Sequence, residues 1–170
     1  IEGCLAYISP ARGSLTGAES AWLRGGTAGG LVGTSEGGTL TVTGSAAATV
    51  IDGRQQAGGL LGYSRGGAVS IEGSYADCYL FADAGSGSAG GLIGACYGTS
   101  VISIADCYAA GFLSGGTTGG LASGELSGGT LRRCYAACAP YEKGARLTYS
   151  TAEVRADGIT PSVDRVFYLE

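Results

Sequence analysis

Six cysteines, ten tyrosines and fourteen acidic side chains are the groups from which this 170-residue chain could build chemistry. It has no histidine, which removes Ser-His-Asp and Cys-His catalysis, histidine metal sites and histidine pH switching. The cysteines stand at Cys4, Cys78, Cys96, Cys107, Cys134 and Cys138 with no Cys-x-x-Cys knuckle, so their spacing does not suggest a thiolate metal centre. Asp77 and Asp106 each precede a Cys-Tyr pair. On neighbouring structural repeats their carboxyls would lie about 5 Å apart, near the separation used by retaining glycosidases. Arg133 holds the next equivalent position and offers Asp106 an ion pair instead. No basic clamp or aromatic subsite surrounds the two acids, so the expectation is no catalytic residue, no metal and no cofactor.

The other charges, Glu36, Arg54, Arg65, Glu72, Asp83 and Glu125, share no register in the repeat, unlike the clustered face of a carbohydrate-active β-helix. A net charge of −4 argues against nucleic acid, whose binding needs clustered Lys and Arg. The chain lacks Asn altogether, so it has no N-glycosylation sequon. No apolar run reaches 18 residues, so membrane insertion is not expected. With neither an initiator Met nor a signal peptide, the chain reads as processed or excised from something longer.

The elements that must position these groups are set by an internal repeat. Ala28-Gly29-Gly30-Leu31-Val32-Gly33 returns as Ala57-Gly58-Gly59-Leu60-Leu61-Gly62 and Ala89-Gly90-Gly91-Leu92-Ile93-Gly94, then as Thr118-Gly119-Gly120-Leu121. A second phrase follows in the same order: Asp77-Cys78-Tyr79, Asp106-Cys107-Tyr108 and Arg133-Cys134-Tyr135. Between them, Leu40-Thr41-Val42-Thr43, Val69-Ser70-Ile71 and Ile102-Ser103-Ile104 alternate with the period of a strand. Each unit thus predicts three short strands, beginning at the Gly-Gly-Leu, at the alternating stretch and at the Cys-Tyr, with Gly and Ser clusters between them. Gly supplies 34 of the residues, and at this density helix is disfavoured by roughly 1 kcal/mol per Gly against Ala.

One unit of about 29 residues cannot repay an ordering cost on the order of 40 kcal/mol from its few aliphatics. Stacking like on like solves this, with each strand bonded to its counterpart about 4.8 Å along the axis. The predicted fold is all-β: one right-handed parallel β-helix, a three-faced β-solenoid of about five coils. Residues 1–27 form an opening coil, where Thr16-x-x-Glu19 suggests a short helix; 28–143 are regular repeats and 144–170 a degenerate last coil. The faded fifth phrase is Gly144-Ala145-Arg146-Leu147.

These phrases resemble the GLUG-motif repeat of bacterial secreted and surface proteins, over roughly residues 26–140. Gly30 to Gly33, Gly59 to Gly62 and Gly91 to Gly94 carry the signature, with Cys107-Tyr108-Ala109 and Cys134-Tyr135-Ala136 after it. Where that family often has Asn before Cys, this chain has Asp77, Asp106 and Arg133. The resemblance implies an extracellular or cell-surface location and a structural or adhesin-like role, and it supplies no catalytic residues.

Three ladders follow from the stacking. Leu31, Leu60, Leu92 and Leu121 form the core ladder. Cys78, Cys107 and Cys134 form an inward ladder, read as buried thiols acting as small hydrophobes, since parallel side chains keep Cβ atoms further apart than the usual disulfide range; a partial pairing within the ladder, or one involving Cys96 or Cys138, is the alternative. Tyr79, Tyr108 and Tyr135 face outward beside them, as a structural stack or a surface-binding row for sugars or partner side chains. Thr39, Thr41 and Thr43 would continue as Ala68, Ser70 and Glu72, which ends any Thr lattice. Gly3-Cys4-Leu5 and Asp164-Arg165-Val166-Phe167-Tyr168 share one phase, so the chain begins and ends on the same face. The expected function is a non-catalytic structural or adhesive solenoid. Its partners are like copies stacked through the open ends as a filament or stalk, neighbouring repeats of a parent chain, or a host or matrix glycan or protein. A carbohydrate-binding or carbohydrate-active β-helix is the alternative.

Overall fold

A computed structural model describes residues 1–7, 22–124, 128–140 and 162–168. They form parallel β-strands wound as a β-solenoid of about four turns. The opening helix expected at Thr16 to Glu19 and the fifth phrase at residues 144–150 lie outside the described residues. The first face stacks β3 (Val32–Glu36), β7 (Leu61–Arg65), β11 (Ile93–Tyr97) and β15 (Ala122–Gly124). The second stacks β4 (Thr39–Thr43), β8 (Ala68–Glu72), β12 (Val101–Ala105) and the first part of β16 (Gly129–Pro140).

The third face is the longest. It stacks β1 (Leu5–Tyr7), β5 (Ala46–Ala48), β9 (Tyr75–Phe81), β13 (Tyr108–Ser114) and the rest of β16. It continues through β2 (Leu23–Gly29), β6 (Val50–Gly58), β10 (Ser88–Gly90) and β14 (Thr117–Gly119) to the glycine corner. Finally β17 (Ser162–Tyr168) lies on β16 and sets Phe167 against Tyr135, while β1 sets Leu5 against Ala46. The first and last described strands therefore occupy the same face, as their matching phase predicts.

The Gly-Gly-Leu phrase does not begin a strand. A strand ends on its first glycine, the second glycine and the leucine turn the corner, and the next strand begins one residue later. Glycine is required there because the coil is pinched. A Cβ on Gly30, Gly59 or Gly91 would strike the carbonyl oxygen of Gly59, Gly91 or Gly120 on the next rung. It would also strike the Ala47, Ala76 or Ala109 methyl across the core. The leucines after these glycines stack as expected: Leu31, Leu60 and Leu92 donate backbone N–H bonds of 3.0, 2.9 and 2.7 Å to the carbonyls of Leu60, Leu92 and Leu121. Inside lie Ile51, Leu80 and Leu113 in one column and Val42, Ile71, Ile104 and Leu131 in another. Each such aliphatic contributes about 1.5–3 kcal/mol by burial.

Candidate functional site

The third face carries the chemistry-bearing residues. At its leading corner the backbone enters the left-handed region on every turn: Gly3, Gly44, Gly73, Asp106 and Arg133 have φ of 61°, 53°, 56°, 53° and 48°. Asp106 and Arg133 are the non-glycine residues with positive φ among those described. The guanidinium of Arg133 bridges both carboxylate oxygens of Asp106 from the next rung. That hydrogen bond, and secondarily the Arg133 charge, hold the Asp106 carboxyl below the usual carboxylate range. Asp77 lies elsewhere, opposite Ala110. The paired-carboxylate geometry therefore does not form, and Asp106 takes the ion pair instead.

After each corner comes a small inward residue: Cys4, Ser45, Ser74, Cys107 and Cys134 in successive rungs. Ser45 and Ser74 hydroxyls donate to the carbonyls of Thr43 and Glu72 at 2.8 and 2.9 Å. Cys107 and Cys134 thiols repeat that bond, to Ala105 and Arg132 at 2.9 and 3.2 Å. Backbone N–H groups of the preceding rungs close the ladder, Cys4 onto Ser45 Oγ, Ser45 onto Ser74 Oγ and Ser74 onto Cys107 Sγ. Serine and cysteine thus exchange at one structural position. They do so again on the first face, where Ser35, Ser64 and Cys96 are in register.

This ladder corrects the expected one. Cys107 and Cys134 belong to it, but Cys78 lies opposite Gly111, in the column that Cys138 continues one rung further on. The same slip moves Tyr79, which lies opposite Phe112, while Tyr108 and Tyr135 are in register with Tyr75. The cause is an enlarged coil. Tyr75 pairs with a residue 33 positions on, where Ala46 pairs 29 positions on and Tyr108 pairs 27 positions on. The extra residues sit in the 82–87 loop and at the corner 98–100. A 29-residue step across this coil falls four short, and four is even, so Cys78 still points inward and Tyr79 outward. Ser74-Tyr75-Ala76 was the phrase to match to Cys107-Tyr108-Ala109, and the 32-residue Gly-Gly-Leu interval was the available signal.

All six cysteines are free thiols, five buried and Cys4 exposed. Burial pushes Cys78 up to about 11 and Cys96, Cys107 and Cys138 up to about 12. Cys134 is raised for the same reason. No group of three or more His, Cys, Asp or Glu capable of holding a metal ion occurs among the described residues.

Outside, aromatic rows on the third face form an exposed patch among the described residues. Tyr75, Tyr108, Tyr135 and Phe112 are 37, 42, 39 and 37% exposed. Tyr75 and Tyr108 stack with ring centroids 4.8 Å apart and 3° between planes; Tyr79 and Phe112 stack at 5.1 Å and 29°. Stacked rings turn their faces to one another and leave rims and hydroxyls to solvent. Partial burial, then Tyr75 and Asp77, raises the Tyr108 phenol. Beyond this patch, Trp22 stacks on Phe81 at 5.5 Å beneath the Arg24 guanidinium, and Arg24 lies 3.6 Å from Asp52. On the other faces Thr39, Thr41 and Thr43 meet Ala68, Ser70 and Glu72 as expected, but Glu36 and Arg65 turn out to share a register. Glu125 lies outside the described residues. Comparisons with protein-family models, with curated proteins and with solved structures find no match to this chain.

Proposed function

We propose that this chain is a non-catalytic structural or adhesive β-solenoid of a bacterial surface or secreted protein, working outside the cell as a stalk or as a filament unit joined through its ends. The observation that carries the reading is the stacking of Tyr75 on Tyr108 and of Tyr79 on Phe112 across rungs. Side chains whose faces are spent on one another serve cross-rung cohesion, each aromatic pair contributing about 0.5–1.5 kcal/mol beyond its buried area. Sugar recognition by stacking needs an open ring face. The corner residues support the same reading, since Ser, Cys, Asp and Arg there are engaged in turning the backbone.

The exposed patch of Tyr75, Tyr108, Tyr135 and Phe112 favours one rival, a carbohydrate-binding surface. Glycan-array binding by the intact chain, with electron microscopy of concentrated protein, separates the two. The structural reading expects fibres or rods and no glycan signal. Binding to glycans that disappears with Tyr108→Ser or Tyr135→Ser would replace it with the carbohydrate reading.

A further inference from the structure

Among the described residues two tyrosine pairs make ring contact, and they differ in kind. Tyr75 and Tyr108 are directly opposite on β9 and β13, with 3° between their planes. Their 4.8 Å centroid separation equals the rung spacing, so one ring lies over the other atom for atom. Tyr63 and Tyr97 are set otherwise. On the first face Tyr63 is opposite Ala95 and Tyr97 is opposite Arg65, so the two tyrosines are diagonal neighbours, two residues out of step. Diagonal positions on adjacent strands lie about 7–8 Å apart, within reach of aromatic side chains. The Tyr63 and Tyr97 centroids are 5.8 Å apart, and their planes are inclined at 44°. Both alternate with buried Ser64 and Cys96 and so point away from the core. Tyr97 is 46% exposed and Tyr63 half-buried.

We propose that Tyr63 and Tyr97 are a site of oxidative modification, where a haem peroxidase using hydrogen peroxide couples the two rings into an intramolecular dityrosine that staples β7 to β11. Each phenol gives up one electron and one proton. The two phenoxyl radicals pair in a single bond between carbons ortho to their oxygens. The hydrogen on each of those carbons then moves to its oxygen, which restores both phenols. The two electrons and two protons released reduce one hydrogen peroxide to two waters. The new bond sets the rings edge to edge with their planes twisted, and it holds the two Cβ atoms further apart than one rung. Diagonal rings already inclined to one another reach that product by small side-chain rotations. Eclipsed rings do not, because β9 and β13 hold the Tyr75 and Tyr108 backbones one rung apart. Tyr79 stacks on Phe112, but that pair has one phenol and supplies one radical. The Tyr63–Tyr97 bond closes a loop of one whole turn and so constrains the unfolded chain as a disulfide does. Its use, reinforcing a stalk or filament, rests on the proposed function; its formation rests on the ring geometry alone.

The test treats the full chain with a haem peroxidase and limiting hydrogen peroxide. The monomer fraction is then read by dityrosine fluorescence, intact mass and tandem mass spectrometry of its peptides. The expected product has lost two hydrogen atoms and joins Tyr63 to Tyr97. Tyr63→Phe and Tyr97→Phe should each abolish it while keeping the circular dichroism of the fold, and Tyr108→Phe should leave its yield unchanged. The cross-linked monomer should unfold at a higher urea midpoint than the untreated chain. A link mapped to Tyr75 and Tyr108, no intramolecular link, a yield unaffected by Tyr97→Phe, or an unraised midpoint would each overturn the staple. Those outcomes leave the structural reading standing, since glycan binding and microscopy judge it separately.

Discussion

The corner that opens the third face isolates what a left-handed backbone costs. Gly44 has φ of 53° and nothing within 4 Å of where a Cβ would lie. Gly44→Ala therefore meets no steric neighbour, and the left-handed backbone alone should cost about 1–2 kcal/mol. In a chain of this size that is roughly 2–4 °C of melting temperature per kcal/mol. Gly44→Asn should cost less, because Asn tolerates this region, and calorimetry of the two variants checks the order. Arg133 occupies the same corner without that freedom. Its bond to Asp106 is exposed, so solvent screening leaves it little weight in stability.

The thiols make a second prediction at this scale. A thiol whose folded pKa is raised keeps its proton after the unfolded chain has lost its own, near pH 8.5–9. Its stabilising effect is intact below that pH and is lost as pH rises toward the folded values, about 11 for Cys78 and about 12 for Cys96, Cys107 and Cys138. The urea midpoint should fall steadily between pH 9 and pH 11, and less steeply in Cys107→Ser, where serine takes over the corner bond as Ser74 does. Native alkylation at pH 8 should label Cys4 alone, with the five buried thiols reacting only after unfolding. A flat midpoint across this range, or rapid labelling of Cys96, would contradict the burial that raises these thiols.

Strands and corners, one scale up, divide the work between aromatic rows outside and glycine pairs inside. Tyr108→Ser removes a ring stacked on Tyr75 and should lower stability by about 1–2 kcal/mol, counting the aromatic pair and some lost burial. Tyr108→Phe keeps the ring and should be close to neutral. Denaturant melts of the two variants measure the difference, and an unchanged Tyr108→Ser midpoint would show that the stack contributes nothing. Gly59→Ala should be far worse than Leu60→Ala. The leucine truncation leaves a cavity costing about 2–5 kcal/mol. The alanine methyl has no room, set between the Gly91 carbonyl and the Ala76 methyl, and should prevent soluble folding.

Much of this scale was legible in the sequence. The Leu ladder follows from four copies of one phrase, and the second face from simple alternation. What misled was a local match: Asp77-Cys78-Tyr79 copies Asp106-Cys107-Tyr108 letter for letter, but hydrogen-bond register is cumulative around a turn. Four additional residues in the intervening coil outweigh three identical ones. Serine standing in for cysteine at Ser45 and Ser74 was hidden for a different reason, since the position selects a small hydrogen-bonding side chain and not a particular element. The long third face, with a fourth strand before the glycines, was masked by the composition of segments such as Gly53-Arg54-Gln55-Gln56, which carry little strand pattern.

For the whole molecule, parallel stacking means that each turn depends only on its neighbours. The enlarged coil shows how extra residues are absorbed: the 82–87 loop and the 98–100 corner take up the surplus, and β10 and β12 still land in register on β6 and β8. The corollary is that the molecule can change size by whole turns. Deleting residues 59–90 joins Gly58 to Gly91 and restores an uninterrupted Ala-Gly-Gly-Leu-Ile-Gly phrase. The shortened chain should still fold cooperatively, with a reduced calorimetric enthalpy, while a deletion of half that length should not fold. Recombination between any two of these corners would thus yield a viable protein of another length, and duplication or loss of a turn becomes the easy route by which its reach evolves.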